Sequence, residues 1–161
     1  MGLNFTFDEL IELALKMEEE GISFYRSLAE REEEPRKKEL FMGLAEMEKE
    51  HFSTFQKMRQ ELGSRSLDEL TDPQGEAVLY LQAMVRGKIF KPEQRPEIDK
   101  FTSMEEILNF AIEREKDSVV YYLGFMEAMK DEGEQEKLRK IIRQELGHIA
   151  ELNQILEGLS R

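Results

Sequence analysis

The chain repeats itself at a single register. Thr6 falls on Ser103, Glu9 on Glu106, Ala14 on Ala111, Glu18 on Glu115, Tyr25 on Tyr122, Glu48 on Glu145 and His51 on His148, an offset of 97 residues throughout. No gap is needed between the first pair and the last. A constant register that runs from a helix cap, through a helix, across a turn and into a second helix requires the same helical hairpin twice. Two such hairpins related by a pseudo-twofold axis are the strongest constraint on what this chain can fold into.

The helices can be read around that constraint. Thr6-Phe7-Asp8-Glu9 has the form of a capping box. Ile11, Ala14, Gly21, Tyr25 and Leu28 then follow at helical spacing. The polar run EREEEPRKK breaks the pattern, and Pro35 suits the first turn of a new helix. Phe41, Leu44, Phe52, Phe55, Met58 and Leu62 form the second stripe, which ends at Gly63. Ser103-Met104-Glu105-Glu106 opens the third helix, with Leu108, Ala111, Val119, Tyr122 and Met126 as its stripe. KDEGEQ supplies a turn, and Leu138, Ile141, Ile142, Leu152 and Ile155 mark the fourth helix, up to Gly158. Between the halves, residues 63–102 hold Pro73, Pro92 and Pro96 and a short helix-like insert around Glu76–Arg86. The expected fold is all-α: one domain over residues 1–161, a four-helix bundle of two hairpins (6–62 and 103–158) joined by a long crossover (63–102) with a short extra helix.

Charge and composition narrow the function. A formal net charge of -12 is the wrong sign for a nucleic-acid partner. With no cysteine, the chain cannot form disulfides, thiolate zinc sites or iron–sulfur clusters of its own. Any metal must be held by nitrogen and oxygen. The start, MGLNFTFDEL, lacks the basic and apolar regions of a signal peptide. It matches a loose myristoylation pattern at Gly2, but Thr6 is better explained as a helix cap. AVLYLQAMV is too short to span a bilayer, so no membrane association is expected. A soluble, cytoplasmic protein is the expectation.

The two histidines carry the chemistry. Each has a glutamate three residues before it, Glu48 before His51 and Glu145 before His148. Residues three apart share a helix face. The first turn is centred near residue 33, midway between Glu18 and Glu48, and the second near residue 130, midway between Glu115 and Glu145. In an antiparallel hairpin, residues equidistant from the turn lie at one height. Glu18 therefore faces Glu48 and His51, and Glu115 faces Glu145 and His148. All six lie on apolar stripes, so four carboxylates and two imidazoles point at a core. Buried carboxylates without counter-charge are costly, and a pair of divalent or trivalent cations supplies it.

Glutamate is roughly a sixth of the chain, so a lone Glu-x-x-His says little. Glu19, Glu20, Glu46 and Glu50 read as solvated charges. Both histidines having glutamate at minus three is about a one-in-thirty coincidence, and adding glutamate at minus thirty-three from both makes it about one in a thousand. The competing reading is a structural polar core. Tyr25 and Tyr122, two turns beyond Glu18 and Glu115, read either as core aromatics or as hydroxyls bonded to ligand carboxylates.

These residues resemble the ferritin-like di-iron carboxylate proteins, and within them the rubrerythrin-like group. That bundle pattern takes one Glu from each of two helices and a Glu-x-x-His from each of the other two. KMEEEGISFY and LAEMEKEHFSTF look like the first two helices of such domains. The resemblance implies two iron ions held by Glu18, Glu48, His51, Glu115, Glu145 and His148; manganese, a mixed pair or substituting zinc would accept the same ligands. It implies reduction of peroxide or dioxygen in an oxidative-stress role. Ferroxidase chemistry and a non-enzymatic metal-stabilised binding module are the alternatives. Two departures matter. Rubrerythrins usually carry a four-cysteine rubredoxin-like domain, absent here, so electrons would come from a separate rubredoxin- or ferredoxin-like protein. The group's additional glutamate on the third helix is replaced by Ile112. The six-residue set then looks more like the symmetric site of bacterioferritin-type proteins. The insert EAVLYLQAMVR is expected to cap the bundle or pack on a second copy, and a homodimer is expected.

Overall fold

A computed structural model describes residues 6–72, 75–85 and 98–159. Its contacts group the chain into two compact units, one ending at Ser66 and the other starting at Leu67.

The first unit is a helical hairpin, α1 (Phe7–Arg31) and α2 (Pro35–Leu62). Thr6 caps α1 with a full capping box. Its hydroxyl accepts from the Glu9 N–H at 3.2 Å, and Glu9 Oε2 accepts from the Thr6 N–H at 2.6 Å. Each helix has donors near its start with no partner in the preceding turn, and this exchange satisfies two of them. At the turn, Pro35 takes the first helical position and the Glu34 carboxylate accepts from the Arg36 N–H at 3.2 Å. The hairpin's open end is tied by Arg59, which donates to both carboxylate oxygens of Asp8 at 2.7 and 2.8 Å. Both partners are more than 40% exposed, so solvent screens this bidentate pair and it contributes little. The core does more: Leu10, Ile11, Ala14, Tyr25 and Leu28 of α1 and Phe41, Leu44, Phe55 and Met58 of α2 are buried. Phe52 departs from its expected place in the stripe and is half-buried. His51 and Phe55, four apart, take the inward row, which leaves position 52 a quarter-turn off it.

The second unit contains α3 (Leu67–Leu70), α4 (Glu76–Val85), a 3-10 turn at Ile98–Lys100, and the hairpin of α5 (Met104–Ala128) and α6 (Glu132–Leu159). Ser103 caps α5, its hydroxyl accepting from the Glu106 N–H at 3.2 Å. Here the reciprocal half of the box moves back one residue: Glu106 Oε2 accepts from the Thr102 N–H at 2.9 Å. Asp131 starts α6 by accepting from the Glu134 N–H at 3.0 Å, so the helix begins inside the KDEGEQ segment. Leu108, Ala111, Tyr122, Leu138, Ile141, Ile142 and Leu152 are buried as expected, whereas Val119, Met126 and Ile155 are half-buried. The helix also runs through Gly158 to Leu159.

The helical insert of the crossover is α4, and it packs on α5. The Tyr80 hydroxyl donates to the Val120 carbonyl at 2.8 Å. Gly124 makes the approach possible, because a Cβ there would collide with the Tyr80 ring. The sequence suggested one extra helix, but α3 and the 3-10 turn are present as well. Residues 70–72 lie along the end of α5: Lys130 N–H donates to the Leu70 carbonyl at 3.1 Å and Asp72 N–H to the Ala128 carbonyl at 3.2 Å. This makes an isolated Thr71–Met129 bridge; among the described residues no strand forms. Gly2, Pro73, Arg86, Pro92 and Pro96 lie outside the described residues. Among the described residues, no helix is long and apolar enough to cross a membrane.

Candidate metal centre

The first hairpin places Glu18 on α1 and Glu48 and His51 on α2. His51 Nδ1 is 3.5 Å from Glu18 Oε2 and 3.5 Å from Glu48 Oε2. The second hairpin repeats the arrangement with Glu115 on α5 and Glu145 and His148 on α6. His148 Nδ1 is 3.6 Å from Glu115 Oε1 and 3.0 Å from Glu145 Oε2. Within each triad one potential ligand atom from every residue lies within 4.8 Å of the others. Turn position explains the encounter: α1 ends at Arg31 and α2 starts at Pro35, so the residues equidistant from that break meet. All six side chains are at most 5% exposed. Acidic residues are rarely this buried unless they are paired or bind metal.

The electrostatics of the second triad are strongly perturbed. Burial alone would push the His148 imidazolium down. The carboxylates of Glu115 and Glu145, 3.6 and 3.0 Å from Nδ1, override burial and lift it to about 10. Burial likewise raises Glu115, but its polar neighbours Glu145 and His148 and the charge of Arg114 win, and hold its carboxyl well below the usual carboxylate range. In the metal-free protein a proton on His148 thus serves as local counter-charge.

Sequence reasoning missed Arg114. It is 3% exposed, and its Nη1 lies 3.7 Å from Glu115 Oε1. The repeat register puts it on Met17, which is also buried. A cation standing where the other copy has an apolar core residue was the available signal. Ser118 follows one turn on, its hydroxyl donating to the Arg114 carbonyl at 3.3 Å, where the first copy has Gly21. Glu20 also departs from expectation. It is half-buried, while Glu19, Glu46 and Glu50 are exposed. Tyr25 and Tyr122 are both fully buried, Tyr25 edge-on to Phe24 at 5.3 Å and Tyr122 tilted against Tyr121 at 5.8 Å.

The donor set fits a metal. Two donors sharing one ion at about 2.1 Å stand about 3 Å apart when adjacent in its coordination sphere. The histidine–carboxylate separations of 3.0 to 3.6 Å are close to that spacing. Two carboxylates and one imidazole per triad, with no thiolate, suit iron or manganese.

The fold and these two triads define a class before a family. A solved structure from Thermotoga maritima, described as a ferritin-like diiron-carboxylate protein, is similar to this chain with a TM-score of 0.69. Identity is 25%, and the match covers 98% of each chain. The fold is thus an all-α ferritin-like helical bundle. No curated protein matches the sequence. The sequence profile of rubrerythrin matches residues 8–94, more than half the chain. This chain belongs to the rubrerythrin family.

Proposed function

We propose that the protein is a di-iron redox protein that reduces peroxide, or dioxygen, in an oxidative-stress role. The observation that carries this reading is the pair of matched, buried triads in a chain of the rubrerythrin family. Glu18 with His51 would hold one iron as terminal ligands, and Glu115 with His148 the other. Glu48 and Glu145 would be the further carboxylate ligands. When bound, the irons would supply the two electrons that break the O–O bond.

The chain's own residues define the rest. Burial excludes bulk water and strengthens every electrostatic interaction inside. Tyr25 and Tyr122 are candidates to orient ligand carboxylates through their hydroxyls. Electrons would come from a separate rubredoxin- or ferredoxin-like partner. A cytoplasmic homodimer completes the proposal; Leu79, Val120 and Leu123, exposed on neighbouring α4 and α5, offer it an apolar face.

The test is stopped-flow oxidation of anaerobic, ferrous-loaded protein. Faster oxidation by peroxide than by dioxygen is expected, with saturation at two irons per chain. Inertness to both oxidants removes the redox function. Continued turnover with many equivalents of ferrous iron and a growing mineral would assign ferroxidase chemistry instead, a reading that Ile112, in place of a further carboxylate, leaves open.

A further inference from the structure

We propose that Arg114 makes the two halves of the centre unequal, so that the cation held by Glu115 and His148 binds more weakly and is lost first. This rests on the di-metal reading above and assigns to Arg114 a positioning role that the ligand pattern does not contain.

The repeat is broken at a buried position. Backbone register, caps, turns and all six candidate ligands match between the hairpins, but Met17 beside Glu18 becomes Arg114 beside Glu115. Both side chains are buried, at 1% and 3% exposure. A guanidinium stays charged at any pH a folded protein meets. A buried charge is an expensive way to fill space that the other copy fills with methionine.

The position of that charge decides its effect. Arg114 Nη1 is 3.7 Å from Glu115 Oε1, an oxygen that also lies 3.6 Å from His148 Nδ1. A cation taken up between Glu115 and His148 must share this carboxylate with a fixed positive group. Glu18 has an apolar neighbour at the matching position. For a divalent ion about 6 Å from a guanidinium, Coulomb repulsion at an effective dielectric near 20 exceeds what a tenfold change in affinity requires. The first half carries no such opposition from its Met17 position.

Titration of the metal-free protein with cobalt(II), followed by visible absorption and calorimetry, tests this directly. The wild type is expected to bind two ions with constants at least about tenfold apart. His148→Ala should remove the weaker step and His51→Ala the tighter one. Arg114→Met and Arg114→Gln should tighten the weaker step about tenfold or more and the tighter one by less, while Arg114→Lys should keep the gap. A purely structural arginine would lower the melting temperature of the neutral variants without moving the ratio of constants. Equal constants in the wild type, or an unchanged gap in a folded neutral variant, overturn the role of Arg114. If neither neutral variant folds, the half-site variants decide: the ion left in His148→Ala should bind at least about tenfold more tightly than the ion left in His51→Ala, and equal constants there overturn the role of Arg114. Uptake of fewer than two ions would instead contradict the di-metal centre itself.

Discussion

Replacing the first triad by apolar residues separates a site built for cations from a polar core built for stability. Consider Glu18→Met, Glu48→Met and His51→Leu together. The three side chains are at most 2% exposed, and Met17 beside Glu18 is already apolar. The second triad is a poorer choice, because removing Glu115 would leave Arg114 buried without that carboxylate. In metal-free protein, the wild-type triad bears the desolvation of its carboxylates, offset only in part by histidine contacts at 3.5 Å. Exchanging a buried ionic group of this kind for apolar side chains of similar size is neutral or stabilising by about 1–4 kcal/mol. For a chain this long each kcal/mol moves the melting temperature by about 2–4 °C, so a rise of roughly 2–15 °C is expected in chelator. Metal should reverse the order. At a thousandfold excess over its dissociation constant, a bound ion adds about 4.1 kcal/mol to the wild type and nothing at the deleted half. Calorimetric melts in chelator and in ferrous or manganous buffer would show the two curves change places. A variant that melts well below the wild type in chelator would refute the reasoning, because it would mean that the triad is a satisfied structural network.

Two further outcomes follow from other parts of the molecule. In metal-free protein, His148 has a folded-state pKa of about 10, raised above the ordinary 6.5. Its contribution is therefore fully present below about pH 6.5 and lost as pH rises through about 10, so urea stability in chelator should fall over that window. The metal-loaded protein should lack that fall, since the ion replaces the proton; an equal fall in both would contradict the assignment. Gly124→Ala should cost about 1–3 kcal/mol by driving a methyl group into the Tyr80 ring, and Tyr80→Ala in the same chain should recover part of the loss. Unchanged thermal stability of Gly124→Ala would show that α4 does not pack there.

Most of the candidate site was legible because a repeat fixes more than periodicity does. The register located both turns, and the turns put Glu18 opposite His51 and Glu115 opposite His148 before any coordinates were needed. What the repeat could not give is where the copies diverge. Arg114 escaped notice because a basic residue on an acidic helix reads as solvated, and only its alignment with Met17 argues otherwise. Glu20 reads as solvated for a related reason: a run of three glutamates offers no internal clue to which one turns inward besides Glu18. Phe52 was counted into a stripe that His51 and Phe55 already fill. In the crossover, α3 is a single turn of four residues with too little periodicity to be seen. Its place is set by backbone hydrogen bonds to the end of α5, a non-local pairing that local pattern does not encode. The insert α4 was visible as a helix, but its seat on α5 depends on a glycine that lies far from it in sequence.

The most direct measurement is metal analysis, with an anomalous-difference map, of crystals of protein purified without oxygen. Two iron atoms per chain are expected. One should lie against Glu18 and His51 and the other against Glu115 and His148. Protein that carries no metal, or carries it away from these residues, would contradict the account.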